Sequence, residues 1–318
     1  MSGRAAASRA GAGFALVACA AALWGTDALF RQGLADDLPA SAVVFGEHVL
    51  LVLLVAPLWA RAVRSLRGFG VGEWVSLLLI GAGASAVATA LFTASFRYGD
   101  PTTPLLLQKL QPLVAVLGAR LLLAERLLPR YGVYFVCALC GAYLISFPDP
   151  TEVSVQRLAP ALLALGAAGL WGMGTVLGRS LSRSVDPLPL TALRFLVGLP
   201  ASAVVLLVLE GGPGFTVYGS GSLPSLLLLA LIPGLLSLLI YYRGLARTPA
   251  AAATLAELAF PLTALLIGYL VFGQTLTVTQ WLGVALLSAT ITLMGLAGQR
   301  ATERMGVAVP AEPVPSGS

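Results

Sequence analysis

Five charged residues lie inside otherwise apolar stretches, and their chemistry suits them to bind or move a charged group. They are Asp27, Glu47, Lys109, Arg194 and Glu257. Lys109 is the only lysine in 318 residues, whereas the other 18 basic residues are all arginine. A charge in the middle of a membrane costs at least ~2.5–3.5 kcal/mol on insertion scales, so such residues usually face a cavity or a partner. These five residues are therefore the first candidates for substrate binding or coupling.

The depth of each charge follows from the 1.5 Å rise per residue of an α-helix. Asp27, Glu47 and Lys109 lie roughly 9–11 Å from the predicted outer ends of their spans. Arg194 and Glu257 lie roughly 9–11 Å from the inner ends of theirs. We therefore predict that Lys109 pairs with Asp27 or Glu47 on the extracellular side of the bilayer midplane. Arg194 is predicted to pair with Glu257 on the cytoplasmic side. The alternative for the second pair is a static link between two helices.

Two prolines lie close to these charges in the middle of apolar stretches. A mid-helix proline removes the hydrogen bond to the carbonyl four residues earlier, so Pro112 and Pro261 should free the carbonyls of Gln108 and Glu257. Broken helices at matching positions point to a transporter's binding site. The residues expected on the cavity side of the first helix are Gln108, Lys109, Gln111 and Pro112. The alternative is that the prolines only kink their helices and the glutamines bond neighbouring helices.

Several aromatic and histidine residues near these positions have two interpretations. Trp24 and Trp171 lie mid-span, where they form either an aromatic wall of the pocket or ordinary packing. His48 adjoins a carboxylate and is either a proton relay partner or a structural residue. Tyr241 and Tyr242 lie near a cytoplasmic end and are predicted to be interfacial anchors.

The elements that must position these residues are membrane-spanning helices. Hydrophobic residues make up 58% of the chain and charged residues 10%, with a mean hydropathy of +0.91, whereas a soluble domain is roughly half apolar and a quarter charged. Stretches near the ~20 residues needed to cross a bilayer recur at about 13–33, 40–60, 74–97, 102–123, 130–148, 158–179, 188–209, 223–246, 250–272 and 279–297. The predicted fold class is all-α integral membrane, with ten transmembrane helices.

The positions of the arginines predict the orientation of the chain through the positive-inside rule. With the N-terminus inside, the arginines that fall inside are at positions 4, 9, 61, 64, 67, 120, 126, 130, 179, 183, 243, 247, 300 and 304, and those outside are at 31, 97 and 157. Both termini are therefore predicted to be cytoplasmic, with residues 1–12 as an N-terminal segment and 298–318 as a disordered tail. The alternative for the N-terminal apolar run is a cleaved secretory signal.

The chain contains an internal repeat. Its first copy includes residues on both sides of the possible cleavage site, which argues against a cleaved signal. The segment "LWGTDALFRQGL" (23–34) aligns with "LWGMGTVLGRSL" (170–181) at an offset of 147. The segment "LQKLQPLVAVLGARLLLAERL" (107–127) aligns with "AELAFPLTALLIGYLVFGQTL" (256–276) at an offset of 149. Each copy has an odd number of predicted spans, so the second copy must enter the membrane from the opposite side. Residues 13–148 and 158–297 are therefore predicted to be inverted five-helix repeats.

On these residues the chain resembles the EamA family of the drug/metabolite transporter (DMT) superfamily. The resemblance lies in the two WG-bearing first spans and in the proline-centred fourth and ninth spans, the first of which ends in "LLLAERL". It implies ten helices in two inverted halves that mediate metabolite efflux or exchange by alternating access. In such families the second span commonly opens with an arginine; this chain has Arg194 there in its second half but Glu47 in its first.

The resemblance implies a secondary transporter that exports or exchanges a small polar metabolite, such as an amino acid whose carboxylate meets Lys109. Protons are a candidate coupling ion through Glu47, Lys109 or Glu257. The expected partners are the substrate and the lipid bilayer of the plasma membrane, and a homodimer is compatible with the sequence. The net charge of +5 reflects topology and anionic-lipid contact, so no nucleic acid is implied.

Other functional classes remain as alternatives. They are a lipid or lipid-carrier flippase on the same fold, a small-solute channel, and an intramembrane enzyme that acts on lipids. An enzyme would need a nucleophile–base set or metal ligands, and the chain has one histidine and no HExxH motif. Cys137 and Cys140 lie in an apolar helix without other ligands, so we expect them to pack. The sequence predicts no enzyme, no cofactor and no metal site.

Overall fold

The computed structural model describes residues 2–27, 29–30, 34, 37–96, 107–108, 110–125, 127, 130–147, 149, 151, 158–273 and 275–305. Every regular element in these residues is a helix. We label the successive rods α1 (Ser2–Gly25), α2 (Ala40–Leu54 and Trp59–Ser65), α3 (Val71–Leu78, Leu79–Val87 and Ala88–Phe96), α4 (Gln111–Leu122), α5 (Tyr131–Ser146), α6 (Leu158–Leu181), α7 (Pro187–Glu210), α8 (Leu223–Leu229, Ala230–Leu236 and Ser237–Leu245), α9 (Ala250–Ala256 and Ala259–Leu270) and α10 (Val278–Met305).

The lengths of these helices fit a multi-pass membrane protein. Within the described residues, five helices are long and apolar enough to cross a bilayer, or six if the bent pair Ala40–Leu54 and Ala56–Ser65 is one span. The two parts of that pair meet at 55°. The shorter apolar helices are Gly11–Gly25, Gln111–Leu122, Tyr131–Ile145 and Val278–Met294. One rod lies in each of the apolar stretches found in the sequence, so length and hydropathy located the elements correctly.

The structure adds detail at two predicted boundaries. α1 ends at Gly25, where the Thr26 hydroxyl donates to the Leu23 carbonyl at 2.7 Å and closes a turn. The apolar stretch expected to reach residue 33 continues beyond this turn, because Asp27, Leu29, Phe30 and Leu34 are again helical. At the other end, α10 continues to Met305, into the segment predicted to be a disordered tail. The sequence "QRATERM" consists largely of good helix formers, which explains the extension. The tail residues 306–318 lie outside the described residues.

The packing of the rods is reciprocal in part between the two halves. The first helix of the first half, α1, packs against α8 and α9, and the first helix of the second half, α6, packs against the equivalent α3 and α4. In addition, α1 packs against α10. Two further pairs join helices of the same rank, α2 with α7 and α5 with α10. The proline-interrupted helix of each half is therefore held by the opposite half.

The glycine of each WG motif permits this close approach. A Cβ at Gly25 would lie 2.6 Å from the Thr263 Cβ and 2.8 Å from the Phe260 carbonyl oxygen of α9. A Cβ at Gly172 would lie 2.7 Å from the Gln111 carbonyl oxygen of α4. Such distances are too short for any side chain, so the WG glycines fix how near the first helix of one half comes to the broken helix of the other.

A buried carboxylate joins three helices at their predicted cytoplasmic ends. Glu125, in the "LLLAERL" segment after α4, is 8% exposed. Its Oε1 lies 3.7 Å from the Arg179 Nε and 3.5 Å from the Arg183 Nη2, at the end of α6. Its Oε2 accepts a hydrogen bond from the Ala251 N–H at 3.4 Å, in the first turn of α9. An anion is favourable at a helix N-terminus, so Glu125 ties α4, α6 and α9 together.

We expect Glu125→Gln to lower the free energy of unfolding by about 1–3 kcal/mol, because it leaves two guanidinium groups without their counter-charge. The measurement is the fraction of detergent-solubilised protein that stays monodisperse on size-exclusion chromatography after heating. Glu73→Gln is the matched control, since Glu73 is solvent-accessible and bonds only the Gly70 N–H within the described residues. Equal melting of the two variants would contradict the role of Glu125.

Candidate functional site

The predicted interruptions of α4 and α9 are present, and they lie side by side. α9 stops at Ala256 and resumes at Ala259, with Pro261 in the first turn of the second part. α4 begins at Gln111, with Pro112 in its first turn, where a missing N–H costs nothing. The carbonyl of Glu257 is not free as predicted, because the Phe260 N–H donates to it at 3.0 Å. A tight turn therefore recovers the bond that Pro261 cannot make.

The two interruptions enclose a pocket of about 50 Å³. It is lined by Gln108, Gln111, Pro112, Thr254, Glu257, Leu258, Phe260 and Pro261. The residues among these that the sequence analysis proposed for the site are Gln108, Gln111, Pro112, Glu257 and Pro261. A space of this size holds a few water molecules or one polar group of a larger ligand.

The Glu257 carboxylate is the centre of a hydrogen-bond network. Its Oε1 accepts from the Thr175 hydroxyl at 2.9 Å and from the Tyr241 hydroxyl at 2.8 Å. Its Oε2 accepts from the Gln111 Nε2 at 3.2 Å. The residue is 8% exposed. All three partners donate to the carboxylate, and they join α4, α6 and α8 to the break in α9.

Tyr241 and Tyr242 are not interfacial anchors, and that prediction is wrong. Both are buried in the bundle, at 3% and 0% exposure. The Tyr241 ring packs against Trp24 of α1 with centroids 5.0 Å apart, so Trp24 contacts the residue that holds Glu257. The equivalent pair of the other half is Trp171 with Phe92, at 5.2 Å. Phe92 has no hydroxyl, so this polar contact exists in one half only.

Arg194 does not pair directly with Glu257, and that prediction is also wrong. Within the described residues, no ion pair joins them. The Arg194 Nε donates to the Ser85 hydroxyl at 2.9 Å and its Nη1 donates to the Tyr242 hydroxyl at 3.1 Å. Consecutive residues on a helix point about 100° apart, so Tyr241 and Tyr242 bind the anion and the cation separately.

Glu47 of α2 and Arg194 of α7 each lie against a π-helical segment of the opposite half. α3 and α8 adopt π-helix at Leu79–Val87 and Ala230–Leu236, nearly one repeat offset apart. Arg194 of α7 bonds Ser85 in the first segment. A Cβ at Gly234, in the second, would lie 3.3 Å from the Glu47 Oε1. π-Segments in α-helices are frequent at functional sites, and here each faces a membrane-buried charge.

His48 and Trp171 have contacts of a structural kind. The His48 Nδ1 donates to the Val44 carbonyl at 2.8 Å, and the ring fills the space beside Gly198, where a Cβ would lie 2.7 Å from it. The Trp171 Nε1 donates to the Ala84 carbonyl at 3.0 Å, within the π-segment of α3. For both residues the contacts favour the packing interpretation.

The predicted outer cluster is described only in part. Asp27 lies just after α1 and is half-buried, as is Glu47 on α2. Lys109 lies outside the described residues, so its pairing with either carboxylate stays a prediction.

Three residues of the site were not predicted as site residues from the sequence. Thr175 and Tyr241 belong to the hydrogen-bond network and Thr254 lines the pocket, and the three lie in different helices. Thr254 precedes Glu257 by three residues, and this spacing places the two on one helix face, which the sequence could have shown. Nothing local marks Thr175 or Tyr241, because their roles depend on how α6 and α8 are rotated toward α9.

A second and larger cavity lies beside α2, α3 and α7. Its volume is about 390 Å³, within the range of small-molecule sites. Its walls are mostly apolar, and its polar residues are Ser41, Thr89 and Glu210. The Ser41 hydroxyl donates to the Glu210 Oε1 at 3.0 Å. None of these three residues was singled out from the sequence.

Comparison with known proteins agrees with this architecture. The EamA-like transporter family model matches residues 11–147 and 158–296. The riboflavin transporter ImpX of Fusobacterium nucleatum is 32% identical over 84% of this chain and 92% of its own. A riboflavin transporter of Rhizobium johnstonii is 31% identical over 58% of each chain. A solved crystal structure superposes with a TM-score of 0.72 at 19% identity, over 91% of this chain and 97% of that one, and this likeness concerns the fold alone.

Proposed function

Because the chain belongs to the EamA-like transporter family, we propose that it is a secondary transporter that moves a small polar molecule across the plasma membrane by alternating access. The substrate site is the pocket between α4 and α9. The observation that carries this proposal is the buried Glu257 carboxylate, held at the break of α9 by donors from three other helices. Ionisable groups at a helix break in a membrane bundle are typical of transport sites.

The proposal includes the membrane topology expected from the sequence. All ten rods cross the bilayer, both termini are cytoplasmic, and residues 13–148 and 158–297 are inverted repeats. The reciprocal packing of α1 on α8 and α9, and of α6 on α3 and α4, supports this. When two halves are related in this way, each half can adopt the conformation of the other. This interchange is the structural basis of alternating access.

The size of the pocket supports an occluded conformation. A volume of about 50 Å³ is far below the roughly 300–1,000 Å³ of a site that encloses a small molecule. Transport therefore requires α4 and α9 to separate. The two helix breaks and the two π-segments are the places where the backbone can change most easily, because their helical bonding is already irregular.

The first candidate substrate is a flavin. Two relatives are named riboflavin transporters. The pocket has amide and carboxylate groups, and an aromatic pair, Trp24 and Tyr241, lies next to it through the hydrogen bond from Tyr241 to Glu257. This assignment takes precedence over the amino acid expected from the sequence, because the names of these relatives point to riboflavin. Lys109 remains a proposed site residue, and Glu257 is the proposed group for proton coupling.

The experiment is uptake into proteoliposomes that contain the purified full-length protein. Riboflavin is detected by its own fluorescence, and amino acids are presented in parallel as radiolabelled compounds. We expect saturable riboflavin uptake above that of protein-free vesicles, and competition by unlabelled flavins. Uptake of amino acids without any uptake of riboflavin would replace the flavin assignment but keep the transporter. If imposing a proton gradient in either direction leaves the rate unchanged, proton coupling is excluded.

A further inference from the structure

The Thr254 hydroxyl is an unpaired polar group inside the pocket. The residue is 1% exposed, it lines the same space as Glu257, and its Oγ1 has no hydrogen-bond partner within the described part of the chain. A buried hydroxyl without a partner is unfavourable, and such groups in folded proteins need a specific explanation. The hydroxyl is therefore free to bond a ligand that enters between α4 and α9.

The Glu257 carboxylate supplies an acceptor next to this hydroxyl. A carboxylate has about four acceptor positions. The described partners use two on Oε1 and one on Oε2, so Oε2 can accept one more hydrogen bond. Because Thr254 and Glu257 are three residues apart in α9, their side chains lie on one face. This wall of the pocket presents a hydroxyl donor and a carboxylate acceptor together.

The opposite wall of the pocket carries amide groups. Gln108 and Gln111 belong to the interrupted region of α4. The Gln111 Nε2 is bonded to Glu257, which fixes its orientation. The Gln108 amide also lines the pocket, and it carries an N–H donor as well as a carbonyl acceptor. The polar groups of the pocket are therefore the Thr254 hydroxyl, an acceptor position on Glu257 and the Gln108 amide, whose N–H can donate.

We propose that this pocket binds the imide edge of a heterocyclic substrate, in which an N–H lies between two carbonyl groups. The N–H donates to the Glu257 Oε2, one carbonyl accepts from Thr254 and the other accepts from Gln108. This inference rests on the proposed function, since the pocket must be the substrate site. In a flavin the edge is N3–H with the C2 and C4 carbonyls of the isoalloxazine ring.

The volume of the pocket agrees with recognition of one edge. About 50 Å³ admits the polar side of a ring and not the whole ring. A cyclic imide supplies one donor and two acceptors, which matches the three groups of the pocket.

The first arm of the test changes the ligand. 3-Methylriboflavin replaces the N3 hydrogen by a methyl group and keeps both carbonyls. We expect wild-type protein in proteoliposomes to prefer riboflavin over 3-methylriboflavin by about a hundredfold in kcat/KM, because the methyl group removes the donor and its bulk keeps any other donor from the remaining acceptor position of the Glu257 Oε2.

The second arm changes the protein. Thr254→Val keeps the shape and removes the hydroxyl, so we expect the riboflavin Kd to rise about tenfold. The thermal stability of the ligand-free variant should be unchanged or higher, because an unpaired buried hydroxyl is lost. Thr292→Val is the matched control, since Thr292 is an exposed threonine of α10 that bonds the Ser288 carbonyl.

The outcomes separate this inference from the proposed function. Equal transport of riboflavin and 3-methylriboflavin overturns the imide edge but leaves a flavin transporter. An unchanged riboflavin Kd in Thr254→Val also overturns it, and assigns the threonine to packing. No uptake of riboflavin by wild-type protein overturns the flavin substrate itself, and the imide edge with it.

Discussion

Glu257→Gln is expected to reduce riboflavin uptake by about a hundredfold while the protein stays folded. Losing the charge weakens the acceptor that faces the substrate, and truncating one partner of a buried charged hydrogen bond costs about 2–5 kcal/mol. The glutamine Oε1 can still accept from Thr175 and Tyr241, which hold the wild-type Oε1 at 2.9 and 2.8 Å. The Gln111 amide, whose Nε2 donates to the wild-type Oε2, can turn over so that its oxygen accepts from the new Nε2. The pocket should therefore keep its shape, and the loss should appear in transport.

The stability of this variant separates a functional role from a structural one. A buried charge in a membrane is unfavourable for folding, so Glu257→Gln should melt at the same temperature as wild-type protein or higher. Size-exclusion profiles after heating provide that measurement beside the uptake assay. Glu73→Gln again serves as the control, because it neutralises a partly exposed carboxylate that does not line the pocket. Full uptake by Glu257→Gln would rule out the carboxylate as a site residue.

Gly172→Ala is expected to destabilise the protein by about 1–3 kcal/mol, the usual cost of overpacking. The added methyl group would lie 2.7 Å from the Gln111 carbonyl oxygen and 2.9 Å from the Val114 Cβ. Backbone and a β-branched side chain cannot move aside easily, so α6 and α4 must separate. The Gln111 amide donates to Glu257, and this separation should reduce uptake as well.

Gly169→Ala provides a control in the same helix. Nothing lies within 4 Å of a Cβ at Gly169, and alanine favours a helix over glycine by about 0.5–1 kcal/mol. We therefore expect Gly169→Ala to be neutral or stabilising. The comparison is the heating midpoint of the two variants in one detergent. If both variants shift the midpoint downward equally, the close approach of α6 to α4 is not what Gly172 provides.

The two halves of the chain have equivalent frameworks but different chemistry. Trp24 with Tyr241 and Trp171 with Phe92 occupy equivalent places, as do Glu257 and Gln108 at an offset of 149. Only the pair that contains Tyr241 has a hydroxyl to donate to a carboxylate. The repeat therefore accounts for the two helix breaks. Differences at single positions place the buried carboxylate at the break in α9 and not at the break in α4.

Much of the fold was predictable because it depends on local properties. The length of each apolar stretch set the positions of the rods, since a bilayer has a fixed thickness. Pro112 and Pro261 set the interruptions of α4 and α9, since proline lacks the N–H that a continuous helix needs. The WG and proline motifs led to the EamA family, which the comparisons confirm.

The contacts between side chains of different helices depended on the tertiary structure. The sequence placed Arg194 and Glu257 at similar depth, but depth does not specify which way a side chain points. The rotation of α8 brings Tyr241 to the carboxylate and Tyr242 to the guanidinium. The sequence by itself determined the membrane class, the rods, their interruptions and the charged candidates; the packing of the halves decided which polar groups meet, because it sets helix rotation and distance together.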